Sequence, residues 1–357
     1  VSTENSPRPI ADRVFVGGGE MGARMRAFDW AATPLGPVET WPQSLRSAVS
    51  ILLPSRAQIV LFWGRDLVTL YNDAYSPVFG AKHPAALGQP ARECWREVWD
   101  VLEPLFEGVV RTGEAFHAEN HPFFLERHGF VEETYFDVSY DPVRNETGDV
   151  GGVFCIVSET TGRVLGERRL QTLSALGSAG TPASEADLGR HVSAVLDGSR
   201  GDIPFALLYL LDDAGDQARL IAFPGVTREG IALGETLSLA ELPAVQDAVS
   251  ASTVAEIPLD RVLTRPPATA GDTALVLPLR AGTQPAGILI AGVSRHLTLK
   301  PEYRDFFGLV AASLSSSIAG LRTVVEERRR AEALAELDRA KTAFFNNVSH
   351  EFRTPLT

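Results

Sequence analysis

From Leu321 to Thr354 the chain contains neither glycine nor proline, and its apolar residues return every third or fourth position. That spacing is helical, and it specifies one unusually long helix. Leu314, Ile318, Leu321 and Val325 form a first apolar row, and Leu334, Leu337, Phe344 and Val348 a second. The charged block from Arg328 to Glu332 separates them and puts them out of phase. A helix this long has to bury its apolar row against a partner. Residues 313–350 are therefore expected to pair as a parallel, dimeric coiled coil.

The helix ends on FFNNVSHEFRTPLT, residues 344–357. Phe344, Phe345, Val348 and Phe352 fall within an arc of roughly 100° on a helical wheel, nearly opposite His350. His350 thus belongs to a polar face with Asn346, Asn347, Arg353 and Thr354. Glu351 lies near enough to accept a proton from one ring nitrogen and leave a lone pair on the other, which describes an activated nucleophile. Pro355 cannot donate to the helical ladder and bends the chain just beyond. The string SHEFRTPLT resembles the H-box of sensor histidine kinases, and the resemblance covers only these last residues.

The resemblance implies His350 as phosphoacceptor, Glu351 as its acid/base partner, and Thr354 as the residue that positions a water for phosphatase activity. It also implies a homodimer, ATP with Mg²⁺ as phosphoryl donor, and an Asp of a response-regulator receiver domain as acceptor. The only glycine run, GGGE at 17–20, lacks the Lys and Ser/Thr of a P-loop. The ATP site is thus expected outside these residues. The chain then reads as the input half of a kinase, cut just after the H-box and inactive alone. A non-catalytic dimeric sensory module, with His350 never phosphorylated, is the alternative.

A length of 357 residues with 45% hydrophobic content allows two or three packed domains. The net charge of −12 argues against a nucleic-acid partner. The most apolar stretch, ALVLPLRAGTQPAGILIAGV, is broken by Pro, Arg and Gly, so no membrane span is expected. With no signal peptide either, the expected location is cytoplasmic. Cys94 and Cys155 have no spaced partners, which excludes a disulfide framework and a zinc cluster.

The expected class is α+β, with two domains that are each an antiparallel sheet with flanking helices, joined by helical linkers. The boundaries are an N-terminal extension at 1–40, a sensory domain at 41–160, a helical linker at 161–184, a second domain at 185–320 and the signalling helix at 321–357. In the first block QIVLFW, LVTLYNDAY, TYFDVSYDPVR and VGGVFCIVS read as strands, with a helix in WREVWDVLEPLFEGVVRTG and a turn in NETGDVGG. Through LYNDAYSPVFG, the closing hairpin and ETTGRVLGERRL it resembles a PAS domain. Glu159 and Thr161 stand where that family places Asp and Thr before its output helix. The pattern around Cys94 is not that of a flavin-binding photosensory domain, and HAENHPFFLERH reads as loop and strand rather than a haem-ligating helix.

The second block runs helix (EADLGRHVSAVL), two strands (FALLYLLDD, ARLIAFPG), helix (LPAVQDAVSAS), two strands (TALVLPLRA, PAGILIAGVS) and a long exit helix. It resembles a GAF domain. Asp202-Ile203-Pro204 matches a bilin-site motif in letters only, ahead of the first strand and with no Cys in the block. A small-molecule ligand of unknown identity, in either domain, is the expected signal.

Overall fold

The structure is a computed structural model that describes residues 10–178 and 180–353; for Ala343 and 345–353 it describes the backbone only. The chain divides into two units, Val1–Gly166 and Glu167–Thr357, each with its own antiparallel sheet.

QIVLFW is apolar without alternation, which marks a strand covered on both faces. It forms β1 (Gln58–Trp63), the strand between β2 (Val68–Tyr71) and β5 (Val150–Glu159). The sheet order is β2-β1-β5-β4-β3, with β3 at Phe116–Glu126 and β4 at Val131–Arg144. First and last strands are neighbours, as Val60 opposite Cys155 shows. The short helices α4 (Ser76–Phe79) and α5 (Ala91–Cys94) and the longer α6 (Trp99–Thr112) lie between β2 and β3 in the chain.

Three helices precede the sheet: α1 (Ile10–Val14), α2 (Gly19–Ala27) and α3 (Gln43–Leu52). Amphipathic α3 buries Leu45, Val49 and Leu52 and lies against β1. Phe15, Trp30 and Trp41 pack ring on ring at 5.0 to 6.1 Å and belong to the same core cluster. The strand expected over LVTLYNDAY stops at Tyr71, because Asn72 turns its carboxamide inward and the chain enters a short helical turn. HAENHPFFLERH supplies β3, an edge strand with a register shift between Ala118 and His121.

α7 (Thr161–Gly177) carries the chain from the first unit into the second. The second unit continues with α8 (Glu185–Asp197), β6 (Ala206–Leu211), β7 (Gln217–Ala222), β8 (Thr236–Ser238), α9 (Pro243–Ala251), β9 (Ala255–Pro258), β10 (Ala270–Ala281), β11 (Gln284–Ser294) and α10 (Pro301–Arg353). Its order, β8-β7-β6-β11-β10-β9, again sets the first strand beside the last. β8 and β9 are short edge strands that the pattern of apolar runs did not announce. All of β6 is buried, since α9 packs on one face of the sheet while α8 and α10 touch each other and the sheet.

The structure corrects the expected helical seam. Leu314, Ile318 and Leu321 are buried within this one chain, where α10 lies along β10 and β11. Leu309 is exposed at 55%, and from Val325 to Phe344 the described large apolar side chains of α10 stand exposed, with Leu334 and Leu337 at 67% and 68%. The segment Pro301–Thr342 is long and apolar enough to cross a membrane by length and composition, with an 18-residue window of mean hydropathy 1.4. Tyr303, Phe307, Val310 and Leu314 in that segment are buried in the second unit. ALVLPLRAGTQPAGILIAGV is the β10–β11 hairpin.

Candidate functional site

Inside the first unit the sheet and helices leave a cavity of about 40 Å³. Alternation along β1 sends Val60 and Phe62 to its wall; β4 contributes Val138 and Tyr140, β5 Cys155 and Val157, and the helical side Tyr75, Trp95, Leu102 and Phe106. The space is roomy enough for water or a small guest.

The wall is apolar except for a cluster of two phenols and a thiol. Tyr75 and Tyr140 are 5% and 4% exposed and both line the cavity. Burial, followed by the proximity of Cys155 and Tyr140, raises the Tyr75 phenol well above its ordinary range. Burial and Cys155 do the same to Tyr140. The Cys155 thiol is raised by burial and then by Asp141. All three groups are therefore protonated at neutral pH. They offer donors to a neutral guest with an oxygen acceptor, since an ion would lose its hydration here without a counter-charge.

Cys94 is not in this wall. Its buried thiol lies 3.7 Å from both Thr69 Oγ1 and the Ala86 carbonyl, and burial raises its pKa. His83 bonds the Tyr71 hydroxyl at 2.9 Å, while His117 and His121 lie along β3 and His128 bonds Glu132. Among the described residues no group of three or more His, Cys, Asp or Glu is placed to hold a metal ion.

At the end of β5 the chain turns into α7 through Glu159, Thr160 and Thr161. Buried Arg127 grips Glu159 with both guanidinium nitrogens, at 2.8 and 2.7 Å, and reaches Glu132 through Nε at 2.7 Å. Thr161 Oγ1 donates to Glu159 Oε1 at 2.9 Å and accepts from the Tyr135 amide at 2.9 Å. The Thr160 hydroxyl is buried without a partner. Gly80, at φ +55°, allows the close approach that fixes Arg127, because a Cβ there would stand 2.3 Å from the Arg127 carbonyl oxygen. The sequence singled out Glu159 and Thr161 but not Arg127; a lone Arg in HAENHPFFLERH carries no signal of its partner 32 residues away.

His350 and Glu351 lie on the backbone of α10, roughly 44 Å along the helix beyond Leu321 at 1.5 Å per residue. Their side chains, together with Thr354 and Pro355, lie outside the described residues. The cavity and His350 thus occupy different units. In the second unit Asp202 is fully buried and bonded to Arg168 and Arg169 of α7, which gives the Asp-Ile-Pro string a structural place.

No protein-family profile matches the chain, and no curated protein matches it. Among solved structures, the chain is similar to the GAF domain of an Acinetobacter phosphoenolpyruvate-protein phosphotransferase, at 17% identity over 45% of this chain and 96% of that one, with a TM-score of 0.34. It is similar to a free methionine-R-sulfoxide reductase of Neisseria meningitidis at 19% identity, over 45% of this chain and 92% of that one, TM-score 0.34. A third is the phycoerythrobilin-bound GAF domain of a cyanobacterial phytochrome, at 12% identity over 44% of this chain and 98% of that one, TM-score 0.34.

Proposed function

We propose that this chain is the sensory input half of a cytoplasmic histidine protein kinase, with a PAS-like first unit, a GAF-like second unit and His350 as the phosphoacceptor. The observation that carries the reading is the uninterrupted course of α10. It starts against the second unit's sheet at Pro301 and continues to Arg353, through the Ser-His-Glu-Phe-Arg string. In this reading Glu351 takes the proton from one ring nitrogen while the other attacks the γ-phosphate of ATP. Mg²⁺·ATP is held by a domain of the longer protein. The phosphoryl group passes to an Asp of a response regulator, and Thr354 positions the water of a separate phosphatase reaction. The exposed row from Val325 to Phe344 pairs with that of a second copy.

The input is a ligand in the cavity of the first unit: a small neutral molecule whose oxygen accepts from Tyr75 and Tyr140. The Tyr75 and Tyr140 hydroxyls in an otherwise apolar wall support that chemistry. The kinase assignment is tested by incubating a longer form, carrying the ATP-binding domain, with labelled ATP. An acid-labile, base-stable label lost in His350→Gln is the expected result. Label surviving that substitution, or none on the wild type, refutes the assignment and leaves a non-catalytic sensory module.

A further inference from the structure

The second half of α7 is attached to its unit in an unusual way. Of residues 167–177 only Thr172 and Leu176 are buried, and Leu170 is exposed. Leu173 and Ala175 are half-buried, so the apolar contact is narrow. Polar bonds add to it. Arg168 Nε donates to Asp202 Oδ2 at 2.6 Å and Arg169 Nε to Asp202 Oδ1 at 2.9 Å. The Asp202 side chain is wholly buried, and both arginines are largely covered. One turn further on, the Thr172 and Ser199 hydroxyls meet at 2.7 Å. Arg169 also stacks on Tyr303 of α10, 4.4 Å from the ring centre, and the Tyr303 hydroxyl donates to the Asp202 carbonyl oxygen.

We propose that residues 167–177 form a releasable strap with the Asp202 carboxylate as its catch, and that docking and undocking of this strap is the conformational step between input and output. Three facts converge on that residue. The chain passes from the first unit to the second inside α7. The side-chain carboxylate holds α7, and the same residue's backbone carbonyl holds the first turn of α10 through Tyr303. A strap whose polar attachment centres on one buried charge has two states, because a carboxylate left without its arginines is costly and cannot be released by degrees. The proposal does not depend on His350 being phosphorylated.

Hydrogen–deuterium exchange on the 357-residue chain tests it, comparing wild type with Asp202→Asn. The expected result is exchange at least about tenfold faster in peptides from 167–177, with β6, β10 and β11 unchanged within about twofold. A disulfide between Thr172→Cys and Ser199→Cys, added to Asp202→Asn, should restore protection. Unchanged exchange in 167–177 overturns the proposal, because apolar packing then holds the helix. Acceleration spread equally over the sheet also overturns it, since Asp202 is then a residue of the fold rather than a catch. If Asp202→Asn does not fold, Arg168→Gln decides: faster exchange confined to 167–177 supports the catch, and no change refutes it.

Discussion

Asn72 sits fully buried where three segments of the first unit meet. Its carboxamide donates to the carbonyls of Leu52, Ser55 and Ala57 at 3.2, 3.1 and 2.8 Å and accepts from the amides of Ile59 and Tyr75 at 3.2 and 3.0 Å. One side chain thus ends α3, starts β1 and turns the chain out of β2. Asn72→Ala leaves several buried backbone groups unpaired and should cost about 3 kcal/mol, read as a drop in the urea midpoint of the first unit. Tyr75 and Tyr140 predict the opposite sign. Both line the apolar cavity, so Tyr75→Phe and Tyr140→Phe should leave the ligand-free chain as stable as wild type or up to about 1 kcal/mol more stable. A loss above about 1 kcal/mol in either would mean that the hydroxyl is already satisfied by water.

At the scale of elements, the junction of β5 and α7 is held by the charges of Arg127, Glu132 and Glu159. Burial alone would push the Glu132 carboxyl up, but the hydrogen bond and charge of Arg127, helped by His128, outweigh it and hold the group below its ordinary 4.5. The folded value is therefore the depressed one. Its stabilisation is complete above the unfolded value and is lost as pH falls through the folded one. Arg127→Met strands two carboxylates and should cost about 3–5 kcal/mol at neutral pH. The same variant should lose less of its remaining stability than wild type between neutral pH and pH 3, in melts followed across that range. A parallel pH dependence in the two proteins would show that Arg127 does not set the Glu132 carboxyl.

For the whole molecule, α10 changes role along its length. Up to Leu321 it belongs to the core of the second unit, and from Val325 its apolar residues face outward. Truncation after Glu327 should leave the melting temperature of the second unit within about 3 °C, since the residues removed bury nothing among the described part of that core. If the exposed row carries the proposed pairing, the same truncation should abolish self-association measured by light scattering at micromolar concentration. A dimer that survives the truncation would place the interface elsewhere.

The long helix, the α+β class, the two closing hairpins and most strands were legible in the sequence, because periodicity and turn residues act over neighbours along the chain. The edge strands β8 and β9 were not, being too short for any period to show. Val60, Tyr75, Tyr140 and Cys155 share a cavity only because the sheet sets β1 beside β5, and no local pattern records that pairing. The apolar spacing of Leu314, Ile318 and Leu321 is the same whether the partner is a second helix or the chain's own sheet. Spacing fixes which residues must be buried; tertiary structure decided against what, because burial rewards any apolar surface that the fold brings near.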